Sequence, residues 1–390
     1  MDEIFMRRCI ELAKCGFGTA SPNPMVGAVI VCDGKIIGEG WHRKCGEAHA
    51  EVNAVNSVAD KSLLKKSTIY VSLEPCAHVG RTPACADMLI REGIPNIVVG
   101  SIDPFEKVAG KGIEKLKNAG RNVKIGVLRD ECDWLNRRFF TFHTKRRPYV
   151  ILKWAQTADG FIDGIRNDSK TPPLKITDQH FSMLVHKWRT EEDAILVGTR
   201  TAMLDNPQLT ARLWSGRNPV RVCIDREMEI PASSKIFDNQ SKTIVITENT
   251  SPSLRHFDRL ASTSSAGGID AIRSLSGVEG SNSPRGGSSN ILFCTANFNE
   301  SLVHQILDIL YRNEIQSVIV EGGAQTLYSF ISLGLWDEAR VFTNSRLTIG
   351  NGIKAPESHC ECAKSEANDG ISLDYYYHND YFTKNVQVNP

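Results

Sequence analysis

The sequence predicts two α/β domains in succession, joined near residue 147. The chain has 390 residues, which exceeds the usual size of one domain, about 150 residues. Strand patterns alternate with helix patterns along it, and this alternation favours layered α/β units. The composition then shifts at the basic run 144–148, after which a fresh strand begins a second α/β series.

Short apolar runs and the residues that interrupt them predict the elements of the first domain. An amphipathic helix opens the chain. Asp33-Gly34 is a hairpin signal between two strands, and Gly93 ends a helix. The sequence predicts helices over residues 1–16, 47–59, 83–92 and 111–119, and strands over residues 26–31, 35–38, 68–73, 97–100 and 123–127.

The second domain continues the alternation over a longer stretch. Strands are predicted over residues 149–154, 194–198, 220–225, 243–247, 291–294 and 317–321, and helices over residues 177–190 and 301–313. Half of residues 261–290 are Ser or Gly, which bury too little apolar surface to offset the entropy of ordering. This segment is therefore predicted to be a flexible surface loop inside the domain. The tail after residue 355 is predicted to be solvated, although His359, Cys360 and Cys362 are of metal-ligand type.

Charge and hydropathy argue against several classes of function. Lys and Arg total 46 against 45 for Asp and Glu, so no basic surface for nucleic acid or membrane binding is expected. No apolar run reaches the length of a membrane span, and the acidic N-terminus does not resemble a signal peptide. Eleven cysteines in that context predict reduced thiols or metal ligands and a cytoplasmic location. A small-molecule substrate and a homo-oligomer are expected.

The most specific pattern is a His-x-Glu motif followed by a Pro-Cys pair and a second Cys. Its members are His49, Glu51, Cys76 and Cys85. Zinc nucleobase deaminases carry H-x-E…P-C-x-x-C, whereas eight residues separate the two cysteines of this chain. Three protein ligands leave a fourth position open for water, as in catalytic zinc sites. The pattern therefore predicts zinc on His49, Cys76 and Cys85, with Glu51 as the catalytic proton shuttle.

Other interpretations of this pattern stay open at this point. A closed structural zinc site would need a fourth ligand, which His78 could supply. A zinc-stabilised binding protein is another possibility, but such a protein would not need Glu51. A tRNA deaminase is disfavoured by the neutral charge and by the wide cysteine spacing.

The residues around the motif resemble the bifunctional deaminase–reductase family of riboflavin biosynthesis. The resemblance lies in residues 21–29 (SPNPMVGAV), 38–42 (GEGWH), 48–51 (AHAE), 73–76 (LEPC) and 80–85 (GRTPAC), and it extends over most of the chain. The wide cysteine spacing is that family's form of the motif. The resemblance implies a cytidine-deaminase-like domain over residues 1–147 and a dihydrofolate-reductase-like domain over residues 148–390.

The resemblance also implies a reaction. It implies zinc-dependent deamination of a diamino-ribosylamino-pyrimidinone 5′-phosphate, followed by NADPH reduction of the ribosyl side chain to ribityl. In the deaminase domain it places the substrate against Asn23, His42, His78 and Arg81.

In the second domain, the residues alone predict a functional site less specifically than in the first. Residues 318–326 are typical of a strand, a glycine turn and a helix start, whose free N–H groups suit a phosphate. The resemblance, carried by residues 196–198, 205–207, 209–212, 220–225 and 320–324, is more informative. It implies substrate contacts from Arg189, Leu209, Arg212 and Glu321, where guanidinium groups suit a phosphate. It makes Lys153 and Asp205 candidates to polarise or protonate the hydride acceptor, and it implies NADPH contacts from Ala155, Thr201, Asp205, Asp225, Gly323, Ala324, Gln325, Thr326, Leu327, Tyr328 and Ser329.

Residues 173–177 (PLKIT) depart from the family pattern. The family often carries Ser-Lys-Trp-Ile-Thr there, so the Trp and Ser contacts have no counterpart, while Thr177 remains. The alternative function is therefore a single-activity nucleotide or nucleoside deaminase with an inactive or differently specific second domain.

Overall fold

The structure, a computed structural model, describes residues 1–77, 84–105, 109–248 and 290–378. Within these residues the chain forms two compact units. The first comprises Met1–Tyr149 with Asn313–Gln316, and the second comprises Val150–Arg312 with Ser317–His378. Both units are built from mixed α/β elements, so the predicted fold class is confirmed. The predicted loop 261–290 lies outside the described residues except for Asn290.

The first unit contains a five-stranded sheet in the order β2-β1-β3-β4-β5. Its strands are β1 (Gly27–Cys32), β2 (Lys35–Trp41), β3 (Thr68–Leu73), β4 (Asn96–Ser101) and β5 (Asn122–Ile125). β1 pairs antiparallel with β2 and β3, whereas β3, β4 and β5 run parallel. The helices are α1 (Asp2–Lys14), α2 (Ala50–Ser57), α3 (Cys85–Arg91), α4 (Lys111–Asn118), α5 (Arg129–Leu135) and α6 (Arg137–Lys145).

Alternate side chains of β1 divide the core of the first unit into two layers. Ala28 and Ile30 pack with residues of α2 and α3 on one face. Val29 and Val31 pack with residues of α1 and α5 on the other. A strand that is buried on both faces consists of a continuous run of apolar residues. For this reason the predicted bounds of β1 and β3 agree closely with the observed ones. The sequence did not predict α5 and α6.

The second unit contains a nine-stranded sheet in the order β11-β10-β9-β8-β12-β6-β13-β16-β15. Its members are β6 (Tyr149–Thr157), β8 (Ala194–Val197), β9 (Val220–Ile224), β10 (Thr243–Thr247), β11 (Ile291–Thr295), β12 (Ser317–Glu321), β13 (Glu338–Asn344), β15 (Cys362–Asn368) and β16 (Ile371–Tyr377). β7 (Phe161–Asp163) pairs with β14 (Ile353–Lys354) in a separate two-stranded sheet. The helices are α7 (Gln179–Glu191), α8 (Thr199–Asp205), α9 (Leu302–Arg312) and α10 (Ala324–Ser332).

The prediction of a solvated tail after residue 355 is wrong for residues 362–377. β15 and β16 form an antiparallel hairpin, and β16 pairs in turn with β13. The hairpin turn contains Asp369 and Gly370, both with positive φ, and Asp-Gly favours this type of turn. Ile371 and Leu373 then bury alternate side chains in the core. The period-2 alternation of apolar and polar residues in Ile371 to Asp374 is present in the sequence.

Two further predictions concern cysteines and membranes. All eleven cysteines are unpaired in the structure, and their assignment as reduced thiols or metal ligands stays a prediction. Within the described ranges, no helix combines the length and the apolar character needed to span a bilayer.

Candidate active sites

The three predicted zinc ligands converge in the first unit. Their ligand atoms all lie within 4.8 Å of one another. Nδ1 of His49 lies 3.7 Å from Sγ of Cys76 and 3.4 Å from Sγ of Cys85. In a tetrahedral zinc site, usual bond lengths place a nitrogen and a sulfur ligand about 3.5 Å apart. The donor set and its spacing therefore fit zinc. Among the described residues, His359, Cys360 and Cys362 belong to no such cluster.

Local packing places each of these ligands. His49 is the residue that precedes α2, and α2 lies against β2 at Gly40, where a Cβ would come within 2.6 Å of the Ala50 carbonyl oxygen. Cys85 is the first residue of α3, and its backbone N–H donates to Sγ of Cys76 at 3.3 Å. Hydrogen bonds from Cys85 and from His49 lower the pKa of the Cys76 thiol. Cys76 is thus prepared to bind a metal as the thiolate.

Glu51 lies in the first turn of α2, two residues after His49. Its side chain is buried, with 3% of the residue exposed, and burial raises its pKa to about 7. It is therefore a carboxyl group shielded from bulk water beside the ligand cluster.

Two of the predicted substrate residues lie beside the ligand cluster. Nδ2 of Asn23 lies 3.1 Å from Nε2 of His42, and Nδ1 of His42 lies 3.2 Å from the Ala48 carbonyl oxygen. The ring of His42 meets the ring of His49 edge-on, with centroids 5.4 Å apart. Burial lowers the pKa of His42, which favours its neutral form. His78 and Arg81, the other two predicted substrate residues, lie outside the described residues.

Glu74 contributes to this site in a way that sequence reasoning missed. Its buried carboxylate accepts hydrogen bonds from the backbone N–H groups of Gly110 and Gly112, both at 2.9 Å, and also from those of Asp103 and Ile113. A Cβ at Gly112 would lie 1.9 Å from the Pro75 carbonyl oxygen. Glu74 therefore fixes the first turn of α4 against the segment that carries Cys76.

Replacing Glu74 with glutamine is expected to loosen α4. The amide nitrogen of glutamine faces N–H donors and leaves some of them unsatisfied, at a cost of about 3 kcal/mol in local opening free energy. Hydrogen exchange of the α4 amides should then become roughly 10²-fold faster. Glu114→Gln, on an exposed position of the same helix, is the control and should exchange at the wild-type rate. Unchanged exchange in Glu74→Gln would contradict this role.

In the second unit, Glu321 at the end of β12 brings together two of the predicted cations. Its Oε2 accepts a hydrogen bond from Arg189 at 3.0 Å, and its Oε1 lies 3.5 Å from Nζ of Lys153. Burial alone would raise the pKa of Glu321, but Lys153 and Arg189 hold it at about 2. The three side chains are 11–19% exposed, which makes them a largely desolvated charged cluster.

Arg212 lies near the same cluster. Its Nη1 donates to Oε1 of Gln208 and to Oγ1 of Thr210. It forms no ion pair with an acidic side chain in the part of the chain that the structure describes. Burial and the positive charge of Arg189 lower its pKa. Arg189 is paired with Glu321, whereas Arg212 has no acidic partner among the described residues, and this excess of positive charge favours the binding of an anion. Leu209 is buried, so its side chain packs in the core.

The glycine turn after β12 lies against the turn after β8, which is the neighbouring parallel strand. A Cβ at Gly322 would lie 2.6 Å from Cγ2 of Thr201, and one at Gly198 would lie 2.7 Å from Oγ1 of Thr326. Both positions therefore leave room only for glycine. They lie where the two strands end, which is a usual place for nucleotides in α/β sheets. Most predicted cofactor residues lie in or beside these turns: Thr201, Gly323, Ala324, Gln325, Thr326, Tyr328 and Ser329.

The other four predicted cofactor residues lie outside these two turns or point into the core. Asp205 accepts a hydrogen bond of 2.5 Å from Arg166, a buried residue that sequence reasoning missed. Both carboxylate oxygens of Asp225 accept backbone N–H groups that follow in the chain, so this residue stabilises a turn. Leu327 is buried in the core. Ala155 lies two residues after Lys153 on β6, hence on the same face of the sheet.

The divergent stretch 173–177 is held by hydrogen bonds to its backbone. The N–H of Leu174 donates to Oδ1 of Asp163 at 3.0 Å, and the carbonyl oxygen of Ile176 accepts from Nδ2 of Asn344 at 2.8 Å. The loss of the family's Trp and Ser has therefore not left this stretch without support.

Comparisons with known proteins agree with both sites. Residues 1–101 match the cytidine and deoxycytidylate deaminase zinc-binding region, and residues 148–358 match the RibD C-terminal domain. The riboflavin biosynthesis protein RibD of Aquifex aeolicus is 37% identical over 95% of this chain and 96% of its own length.

The chain belongs to the RibD family.

Solved structures support this assignment. A deaminase/reductase from Thermotoga maritima aligns with a TM-score of 0.79 and 35% identity, covering 96% of this chain and 98% of its own. RibD of Acinetobacter baumannii aligns with the same TM-score at 30% identity and the same two coverages. The prediction of a bifunctional enzyme of riboflavin biosynthesis is thereby confirmed, and it is favoured over the alternative of a single-activity deaminase. The predicted cofactors, zinc and NADPH, are also confirmed.

Proposed function

We propose that residues 1–147 deaminate 2,5-diamino-6-ribosylamino-4(3H)-pyrimidinone 5′-phosphate, and that residues 148–390 then reduce its ribosyl group to ribityl with NADPH. The observation that carries this proposal is the presence of two chemically different sites in one chain. A His/Cys/Cys cluster with a buried carboxyl group lies in the first unit, and an arginine-rich cluster around Glu321 lies in the second. The Thermotoga relative is named for both activities.

In the deaminase site, His49, Cys76 and Cys85 would hold the metal. Zinc, when bound, supplies the Lewis acidity that activates water at neutral pH. Glu51 takes a proton from the attacking water and passes it to the amino group, which leaves as ammonia while the ring carbon gains the oxygen. Asn23 and His42, which are hydrogen-bonded to each other, orient the pyrimidinone ring of the substrate. His78 and Arg81 stay predicted substrate contacts.

In the reductase site, NADPH, when bound, would supply a hydride for the first carbon of the sugar. A side chain of this domain would supply the proton that the ring oxygen takes up as the ribose ring opens. Lys153 and Asp205 are the candidate proton donors, and each has an ionic partner, Glu321 beside Lys153 and Arg166 beside Asp205. Arg212 and Arg189 suit the 5′-phosphate, which accepts bidentate hydrogen bonds from guanidinium groups. NADPH would lie along the turns that contain Thr201 and Gly323, where backbone can approach a phosphate closely.

We further propose that the enzyme acts in the cytoplasm as a homo-oligomer, on a small molecule and without a nucleic-acid or membrane partner. The eleven free thiols support a reducing compartment. The near-neutral net charge of +1 supports a small-molecule substrate over a polyanion.

Arg212→Ala tests the assignment of two separate sites. The variant should release ammonia from the diamino substrate at the wild-type rate. Its kcat/KM for the deaminated ribosyl phosphate should fall roughly 10- to 100-fold, the usual range for losing a hydrogen bond to a charged group. Mass spectrometry of the products, with and without NADPH, separates the two steps.

Arg217→Ala is the matched control, because this nearby arginine is paired with Asp193. It should leave both steps unchanged. Loss of both steps in Arg212→Ala would indicate a single shared site. Wild-type protein that releases ammonia but never oxidises NADPH on the deaminated intermediate would contradict the reductase half.

A further inference from the structure

One buried histidine in the second unit has no role in the chemistry described above. His186 lies on α7 and is 7% exposed. Its Nδ1 accepts a hydrogen bond from the backbone N–H of Arg212 at 2.9 Å and lies 3.4 Å from the backbone nitrogen of Leu213. This histidine therefore holds the backbone of the very residue that is proposed to bind the phosphate.

The chain segment that carries Arg212 depends on side-chain contacts, such as the hydrogen bond of 2.9 Å that the backbone N–H of Ala211 donates to Oδ1 of Asn218. It lies between α8 and β9 and forms no helix or strand, so no sheet neighbour accepts the N–H groups of Arg212 and Leu213. Leu209 has a φ of 57°, a left-handed conformation that is uncommon for such a residue. A backbone of this kind keeps its conformation only where the surrounding structure fixes it.

α7 holds this segment from two positions one helical turn apart. His186 accepts from the N–H of Arg212, and Arg189 donates through Nη1 to the Thr210 carbonyl oxygen at 3.2 Å. Because positions i and i+3 share a helix face, both contacts come from the same side of α7. The acceptor role requires Nδ1 to be unprotonated. Burial and the charges of Arg189 and Arg212 lower the pKa of His186 to about 4, so it is neutral at physiological pH.

We propose that His186 is a positioning residue that sets Arg212 for the 5′-phosphate of the reductase substrate. This proposal rests on the proposed function, because it takes Arg212 as the phosphate contact. It extends that function to a residue that touches neither substrate nor cofactor. Its consequence is specific: without the acceptor, the enzyme loses affinity for the phosphate, while the hydride step itself is retained.

Three variants of the full-length enzyme test this. His186→Leu fills the space without an acceptor, and His186→Asn restores an acceptor oxygen close to the position of Nδ1. His180→Leu, at an exposed position of the same helix, is the matched control. NADPH oxidation is measured with the deaminated ribosyl phosphate and with its dephosphorylated counterpart, and ammonia release from the diamino substrate reports on the first unit.

For His186→Leu we expect KM for the phosphorylated substrate to rise roughly 10-fold, the size of one hydrogen bond to a charged group, with kcat nearly unchanged. Activity on the dephosphorylated substrate, KM for NADPH and ammonia release should not change. His186→Asn should recover most of the loss, and His180→Leu should behave as wild type. A merely structural histidine would instead lower activity on both substrates equally.

The outcomes also distinguish the positioning role of His186 from the proposed binding of the phosphate by Arg212. If Arg212→Ala reduces the preference for the phosphorylated substrate and His186→Leu does not, the positioning role is wrong and the phosphate site stands. If neither variant changes that preference, Arg212 does not bind the phosphate and both proposals fail. An equal loss on both substrates in His186→Leu, without recovery in His186→Asn, also overturns the positioning role.

Discussion

Replacing Glu51 with glutamine is expected to lower the rate of deamination by at least about 10²-fold, the lower end for removing a general acid–base group. Glutamine has nearly the same shape but cannot take up or return a proton. Zinc content and melting temperature should match those of wild type, because Glu51 is proposed to bind no metal. Ammonia release under saturating substrate measures the effect.

Two comparisons make the Glu51→Gln result specific. Glu47→Gln, an exposed glutamate shortly before the ligand cluster, should deaminate at the wild-type rate. Glu51→Gln should still oxidise NADPH when it is given the deaminated ribosyl phosphate, since that step belongs to the second unit. Near-normal ammonia release from Glu51→Gln would refute the proton-shuttle role.

Replacing either Cys76 or Cys85 with serine is expected to deplete zinc and abolish deamination. A serine hydroxyl does not ionise at neutral pH, so the site would lose one of its two thiolate ligands. Metal analysis after dialysis against a chelator should give close to one zinc per wild-type chain and much less in each variant. The reductase step should continue in both variants when the deaminated substrate is supplied.

Cys45→Ser provides the matched control for the zinc measurement. Cys45 is an exposed free thiol in the same unit and belongs to no metal cluster within the described residues. It should retain full zinc and full activity. Full zinc retention in both Cys76→Ser and Cys85→Ser would falsify the ligand assignment.

The deaminase site could be predicted from the sequence because each of its groups belongs to a short local pattern. His49 and Glu51 share the start of one helix, and Cys76 follows a strand that is buried on both faces. Those elements are determined by nearby apolar residues and turn residues. The resemblance to the family added the second domain, where single arginines and a glycine turn would have been too common to identify a site.

The same reasoning failed where the function of a residue depends on a distant backbone. Glu74 was visible as part of the motif, yet its role depends on N–H groups of residues 103–113. The partner of Asp205, Arg166, is 39 residues away in the chain. The hairpin 362–377 has a recognisable Asp-Gly turn, but β16 pairs with the distant strand β13, and no local pattern indicates that pairing.

By itself, the sequence determined the α/β class and the family with its two activities, and it predicted the cluster of His49, Cys76 and Cys85 with Glu51 beside it. These depend on local periodicity and on residue types that chemistry demands. Only the tertiary structure decided how those residues are held. The carboxylate of Glu74 and the imidazole of His186 act as acceptors for backbone N–H groups that lie 26 or more residues away. Almost every residue has a backbone N–H group, so the sequence does not indicate which of them will lie beside Glu74 or His186. The packing of helices against sheets determines which N–H groups these side chains contact.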